Sequence, residues 1–394
     1  MTQSPTIHVK KGHARRARSG HPWIYSNEIE MDAAAKALPP GVLVRVGTEG
    51  KPLGVASFNP HSLIAARIVS RAADATIDAG FVKDRLARAL ALRDRLYAEP
   101  YYRLIHAEAD GLPGFVIDRF GDALAIQVNT AGAEALLPLL LQAAEAVVAP
   151  RTVVVRADAP VRALEGLEPR VEVVRGVADR PVEVREGKLR ALADLVAGQK
   201  TGWFYDQRDN RAFAASLAAG LEVLDLYCYS GGFALAAALG GAVAATGIDS
   251  SEAALSLATA AARQNGLEDR VRFEKGEAFG VLESAAREKR LWGVVIADPP
   301  AFVKAKKDLA VGLRGYRKLA RLASRVVAPG GFLVLASCSH HVPAAEFAAE
   351  IAAGIAASGR FGRILRNSGA GADHPVHPLL PESAYLKCQV LQLD

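Results

Sequence analysis

The alternation of apolar and polar residues changes character about halfway along the chain. Up to residue 75 it runs in short stretches such as GVLVRVGTEG and KPLGVASFNPHSLIAARIVS, joined through Gly and Pro. Period-two alternation with such punctuation predicts strands and turns. Residues 81–97, FVKDRLARALALRDRLY, carry apolar positions at helical spacing and predict a connecting helix. The next segments predict strands around a Gly-Pro turn (YRLIHAEADGLPGFVIDRFGDALAIQVNT), a helix (AEALLPLLLQAAEAVVA) and further strands from RTVVVRAD to residue 190. From about residue 196 the rhythm becomes helix and strand in turn: RDNRAFAASLAAG, EVLDLYCYS, GFALAAALG, AVAATGIDS, SEAALSLATAAARQNGL, VRFEKGEAF, WGVVIADPP, a helix over 308–328, and GGFLVLASCS. Strands alternating with helices of that length predict an α/β, doubly wound, mostly parallel sheet. Three segments are therefore expected: β-rich 1–75, α+β 76–190 and α/β 191–394.

Length supports that division, because 394 residues exceed what one hydrophobic core usually holds. Residues 226–248 contain no charged side chain, yet glycines and hydroxyls break the stretch into strand, turn, helix and strand, so it reads as buried core rather than a membrane span. The N-terminus has early positive charge and no apolar run behind it, which argues against a secretory signal. Three cysteines without a C-x-x-C pair argue against a disulfide scaffold and a thiolate metal site, and fit a reducing cytoplasm. A soluble, cytoplasmic, metal-free protein is expected.

In a doubly wound sheet, ligands bind beyond the carboxyl ends of the strands, near the point where strand order reverses. Asp225-Leu-Tyr227-Cys-Tyr-Ser230-Gly231-Gly232-Phe233 ends one such strand, with small residues that let the backbone turn tightly. Gly247-Ile-Asp249-Ser250 ends the next, where an acid can accept hydrogen bonds from a ribose diol. Glu277 closes VRFEKGE, where a polar side chain can meet an adenine edge. A nicotinamide site would want G-x-G-x-x-G after the first strand, and Ser-Gly-Gly lacks that spacing. Asp298-Pro299-Pro300 then follows a buried apolar run. Two prolines stiffen that loop and make Asp298 a fixed hydrogen-bond partner for something planar, such as an extruded base. Cys338 stands between Ser337 and Ser339 at the following strand end; Cys228 and Cys388 read as small buried hydrophobes.

Net charge is +6, and two basic stretches lie far apart. Lys10, Lys11, Arg15, Arg16 and Arg18 fall in the first 27 residues, which hold no acid, and Lys304, Lys306, Lys307 and Arg314 follow the D-P-P loop. Such runs are often only solvated faces, but two of them, one framing the cleft mouth, favour RNA over a small substrate.

The chain resembles the PUA-domain-containing class I methyltransferases of the large-subunit ribosomal RNA cytosine-5 type. The resemblance covers nearly the whole length: Gly20-His-Pro-Trp-Ile-Tyr-Ser-Asn-Glu28 and Gly54 to Arg67 resemble the PUA module, an RNA-binding β-barrel, and Arg103 to Asp118 the family's central domain. The most specific match is Gly198-Gln-Lys-Thr-Gly-Trp-Phe-Tyr-Asp-Gln-Arg208, and Asp373-His-Pro375 and Tyr385-Leu-Lys387 match the tail. The resemblance implies a Rossmann-like class I methyltransferase domain that takes S-adenosyl-L-methionine. It implies that Lys200, Thr201, Gly202, Asp206 and Arg208 line the methionine side, with Asp225, Tyr227, Ser230, Gly231, Gly232, Asp249, Ser250, Glu277, Asp298 and Pro299 completing the site. Cys338 would attack carbon 6 of a cytosine in 23S ribosomal RNA, Asp298 would hold the ring near nitrogen 3, and a homodimer is suggested. Where many RNA cytosine-5 methyltransferases carry a second cysteine this chain has Ala301, so the acceptor of the carbon-5 proton stays open. Glu277 stands where Asp is commoner. Guanine-N7 methylation, which needs no thiol, and a non-catalytic RNA-binding or ribosome-assembly factor are the competing functions.

Overall fold

The computed structural model describes residues 5–394, which divide into two compact units. The first comprises the chain to Arg180 together with Asp194–Gly202 and Ala372–Ser383; the second comprises Pro181–Ala193, Trp203–Gly371 and Ala384–Asp394. The units interleave along the sequence.

The first unit opens with β1 (Thr6–His8), α1 (Arg15–Arg18), β2 (Trp23–Ile24), α2 (Ala33–Lys36), β3 (Val42–Thr48), β4 (Lys51–Phe58) and β5 (Ala66–Ser70), the strands forming one sheet in the order β1-β3-β4-β5-β2. There follow α3 (Ala79–Leu96), β6 (Tyr101–His106), β7 (Phe115–Phe120), β8 (Ala123–Val128), α4 (Ala131–Val147), β9 (Thr152–Ala157) and β10 (Arg170–Arg175), whose strands make a second sheet in the order β10-β9-β8-β7-β6. The helices begin at side-chain caps: the Phe81 N–H donates to Asp78 (2.9 Å) and the Ala133 N–H to the Thr130 hydroxyl (3.1 Å). They cover the sheet with an apolar core that includes Leu86, Leu104, Phe115, Ile117, Ile126 and Leu140.

A buried ionic knot crosses this core's edge. The Arg103 guanidinium donates to both oxygens of Asp118 (2.8 and 2.9 Å), and the Thr201 hydroxyl donates to the same carboxylate (2.5 Å). The Arg103 N–H meets Asp373 at 2.9 Å, and His374 contacts that acid at 2.8 Å. Burial, with Arg103 nearby, pushes His106 down to about 2, so it stays neutral beside the His374 ring.

The second unit is the doubly wound domain. A hairpin, β11 (Val182–Glu186) and β12 (Leu189–Ala193), precedes α5 (Arg208–Ser216), β13 (Glu222–Leu226), α6 (Gly232–Leu239), β14 (Ala244–Asp249), α7 (Glu252–Gln264), β15 (Val271–Lys275), α8 (Ala278–Glu288), β16 (Trp292–Ala297), α9 (Leu309–Ser324), β17 (Val327–Ser337), α10 (Ala344–Ala357), β18 (Gly362–Ser368) and β19 (Lys387–Leu393). Its seven-stranded sheet runs β15-β14-β13-β16-β17-β19-β18. The strands pair in parallel from β15 to β17, and β19 is antiparallel to both of its neighbours. The central strands are apolar on both faces (VLDL, VVIA and FLVLAS) because helices cover both sides. Strand order reverses at β13, the expected place for a ligand crevice.

Among the described residues no helix is long and apolar enough to cross a membrane, and the uncharged 226–248 stretch is strand, turn, helix and strand. No cluster of side chains among them is set to hold a metal ion.

The ionic knot makes a stability prediction. Asp118 is fully buried, so Asp118→Ala would leave the Arg103 guanidinium without its counter-charge. A loss of about 3–5 kcal/mol is expected. Urea unfolding followed by fluorescence should show the first transition at clearly lower denaturant.

Candidate active site

The site of the second unit is built from the bottom of its parallel ladder. Because β14, β13, β16 and β17 run the same way, their carboxyl ends and the loops that follow lie in a row. Asp225 is the last residue but one of β13, Asp249 ends β14, Asp298 follows β16 and Cys338 follows β17.

The turn from β13 into α6 is unusually tight. Tyr227, Tyr229 and Gly231 all have positive φ (61°, 49° and 82°), and the two non-glycine residues are held there by neighbours. The Cys228 N–H donates to the Ile248 carbonyl (3.0 Å), the Gly231 N–H to the Cys228 carbonyl (2.8 Å) and the Tyr229 N–H to Asp249 (2.9 Å). A Cβ on Gly231 would lie 2.6 Å from the Phe273 ring, so the turn passes too close to β15 for any side chain. Asp249 thereby does structural work with both oxygens, since its other one accepts from the Ser251 N–H (2.9 Å). Each oxygen keeps a further lone pair for a ligand.

Asp225 is strongly perturbed. One carboxylate oxygen accepts from the Ala234 N–H (3.0 Å), and the other is buried without a partner. Burial, joined by the charges of Asp298 and Asp249 and opposed by the Ala234 bond, drives its proton affinity up to about 8. The Ser230 hydroxyl is likewise buried and unpartnered. Two orphaned polar atoms, one near the end of β13 and one on the turn that follows it, are a site short of a polar ligand. S-adenosylmethionine, with an ammonium, a carboxylate and ribose hydroxyls, fits that need.

Glu277 does not end a strand: β15 stops at Lys275, and Glu277 is the residue just before α8. Burial, helped by the Glu277 charge, pushes Tyr227 up to about 12. Ser250 is exposed next to the half-buried Asp249, Pro299 is buried, and Gly232 opens α6. Asp206 and Arg208 precede and begin α5; Asp206 accepts from the Tyr385 hydroxyl (2.5 Å), and Arg208 stacks over the Tyr205 ring. Lys200, Thr201 and Gly202 belong to the first unit, where Thr201 has its hydroxyl committed to Asp118.

Cys338 is half-buried between two serines that are fully buried. The Tyr316 hydroxyl, reaching across from α9, bonds both serine hydroxyls at 2.8 Å, and the Val303 N–H donates to Ser339 (3.3 Å). Cys228 and Cys388, by contrast, are buried, and burial raises both thiols, Cys388 to about 12.

Lys387 and Tyr316 carry weight that the sequence reading did not assign them. Tyr316 looks like one more apolar position on α9. Lys387 is a lone cation opening the otherwise charge-free strand KCQVLQL, which was the available signal.

Lys304, Lys306, Lys307 and Arg314 are all exposed on the loop after Asp298 and the start of α9. The N-terminal basic group is less free than its composition suggests. Arg16 pairs with Glu28 (3.2 Å) and Arg18 with Glu49 (2.7 Å), while the Lys10 ammonium donates to the Asn27 carbonyl. Arg15 is exposed.

Residues 7–71 match the model of a PUA-like domain and residues 168–384 that of an S-adenosylmethionine-dependent methyltransferase. The chain is 35% identical to the ribosomal RNA large subunit methyltransferase I of Aeromonas hydrophila, with 99% of each chain covered. It is 36% identical to the protein of that name from Erwinia tasmaniensis, over 97% of this chain and 98% of the other. A solved chain from Streptococcus mutans, assigned as a SAM-dependent methyltransferase, superposes with a TM-score of 0.82 over 98% of this chain and all of its own, at 20% identity. A methyltransferase structure in complex with SAH superposes at 0.84, also at 20% identity, over 99% of this chain and all of that one. These two likenesses show the shared fold.

Asp225 predicts a pH dependence. A carboxyl raised from 3.8 to about 8 binds a proton in the folded protein that the unfolded chain has released. Stability of the ligand-free protein should therefore fall as pH rises from about 4 to about 8 and then level off. Asp225→Asn, which cannot ionise, should flatten that part of the curve. Melting temperatures of both proteins across this range test the point, and parallel curves would refute it.

Proposed function

The chain belongs to the ribosomal RNA large subunit methyltransferase I family of S-adenosylmethionine-dependent methyltransferases, and on that footing we propose that it methylates carbon 5 of a cytosine in large-subunit ribosomal RNA. The observation that carries the choice of base is Cys338: a half-buried thiol at the end of β17, one strand over from Asp298.

S-adenosylmethionine, when bound, supplies a methyl group activated on a sulfonium centre. Asp249 would accept from its ribose hydroxyls, Tyr227 and Glu277 would meet the adenine, and Asp225, Ser230, Gly231 and Gly232 would form the cradle beneath it. Ser250 and Pro299 would close the flanks. Lys200, Thr201, Gly202, Asp206 and Arg208 are assigned to the methionine side on the strength of the family motif. For Thr201 that assignment must share a hydroxyl already donated to Asp118.

The remaining chemistry is the chain's own. A pyrimidine's carbon 5 is a poor nucleophile until something adds to carbon 6. The Cys338 thiolate forms that bond, and the ring electrons it displaces make carbon 5 nucleophilic. Asp298, held in a loop with two prolines and no backbone donors at those positions, keeps the ring in place at nitrogen 3. After methylation, loss of the carbon-5 proton restores the ring double bond and expels the thiolate. Ala301 has no acid–base group, so the proton acceptor lies elsewhere.

The RNA would be gathered by the PUA-like domain, through Lys10, Arg15, Arg16 and Arg18, and by Lys304, Lys306, Lys307 and Arg314 beyond the D-P-P loop. These charges contact phosphates and set position rather than sequence. A ribosomal RNA substrate puts the enzyme in the cytoplasm.

Cys338→Ala should abolish methyl transfer while calorimetry still shows S-adenosylmethionine binding, and mass spectrometry of RNA methylated by the native enzyme should find 5-methylcytosine. Full activity in the variant, with 7-methylguanine as product, would favour a guanine enzyme instead.

A further inference from the structure

Catalysis through Cys338 requires the sulfur as thiolate, because the thiol form is a poor nucleophile. A buried or half-buried sulfur is normally driven the other way, as Cys228 and Cys388 show in this domain. Something local must offset that, and the groups that face the Cys338 loop can be named element by element. From α9 comes the Tyr316 hydroxyl, which is tied to Ser337 and Ser339; burial raises its proton affinity and the Cys338 sulfur adds to the rise, so it stays neutral. The residue after β16, one strand over, is Asp298, an acid, which would oppose a thiolate. His340 follows on the same loop, its ring stacked on Tyr385. From β19 comes Lys387.

Lys387 pairs across the ladder with Ser337, immediately before the cysteine. Its ammonium donates to the Ser339 carbonyl (2.6 Å), immediately after the cysteine, and to the Tyr385 carbonyl (2.8 Å). The side chain therefore spans Cys338 from one flank to the other, and it is buried. An ammonium has three hydrogens, so two fixed bonds leave one over. Neither carbonyl carries a net charge, so Lys387 is a buried cation whose bonding partners do not neutralise it. Burial lowers its proton affinity to about 8, and the Cys338 sulfur acts in the opposite sense, which puts the two groups within electrostatic reach of each other. Below that value the charge is present.

We propose that Lys387 is the positioning residue that keeps Cys338 ionised: its ammonium, anchored on the Ser339 and Tyr385 carbonyls, supplies the positive charge that stabilises the thiolate and fixes the loop presenting it. The inference rests on Cys338 being the nucleophile. It assigns Lys387 no contact with the base and no part in removing the carbon-5 proton.

The test reads the thiol directly and needs neither RNA nor cofactor. The full-length native protein is treated with iodoacetamide over a range of pH, and modification of the Cys338 peptide is followed by mass spectrometry; Cys228 and Cys388, both buried, serve as internal controls. In the native protein the reactivity midpoint should lie below that of an unstructured peptide carrying one cysteine. In Lys387→Met it should rise by about one pH unit or more, the usual effect of losing a nearby opposite charge. Lys387→Arg, which keeps the charge, should restore most of the shift. A native midpoint at or above the peptide's would overturn the proposal whether or not either variant folds. So would a midpoint unchanged in folded Lys387→Met. A low, Lys387-dependent midpoint in an enzyme whose product is not 5-methylcytosine would uphold the ion pair and sink only the cytosine reading.

Discussion

The parallel ladder binding β13 to both β14 and β16 is the constraint on which the site depends. Asp225 pairs with Gly247 on one side and Ile296 on the other, so the three strand ends cannot slide relative to one another. A one-residue slip would turn every side chain to the opposite face. That registration forces Asp225, Asp249 and Asp298 into mutual repulsion, and it is tolerated because Asp249 is bonded to backbone N–H groups while Asp225 holds its proton. The tight turn above them follows from the same constraint. With β15 packed close behind, Gly231 is the residue that fits.

The second organising feature is the reversal of β19. An eleven-residue β17 ends at the carboxyl-end rim of the sheet, and β19 runs back down beside it with Lys387 at the rim end. A parallel last strand would have put that residue at the opposite edge of the sheet. The antiparallel pairing sets a residue close to the C-terminus against the Ser337–Ser339 loop, and Tyr316 from α9 closes the other side. A neutral hydroxyl and a cation thus converge on the backbone that presents Cys338, with the D-P-P loop one strand away.

Much of the architecture was legible from residue patterns. The apolar β13, β16 and β17 runs, the alternating helices and the Gly and Pro punctuation led to a doubly wound sheet, and the sheet is there. So were the chemically loaded strand ends, since an acid or a thiol at the end of an apolar run stands out in one dimension. Less legible was what each of those groups is doing. Glu277 reads as a strand end but stands before α8, because β15 is short and Gly276 breaks it. The first 27 residues look like free positive charge, yet Glu28 and Glu49 fold back on Arg16 and Arg18.

What the residue order determined by itself was the periodicity, hence which segments are strands and helices, and which residues of acid, thiol or glycine character stand at their ends. These are local properties, set within a few residues by side-chain shape and solvation. Only the tertiary structure decided that Asp225 is buried and protonated, that Thr201 serves Asp118, and that Lys387 sits across Cys338. Each of these depends on partners tens to hundreds of residues away, and on how much water the fold removes from a group, which no pattern along the chain records.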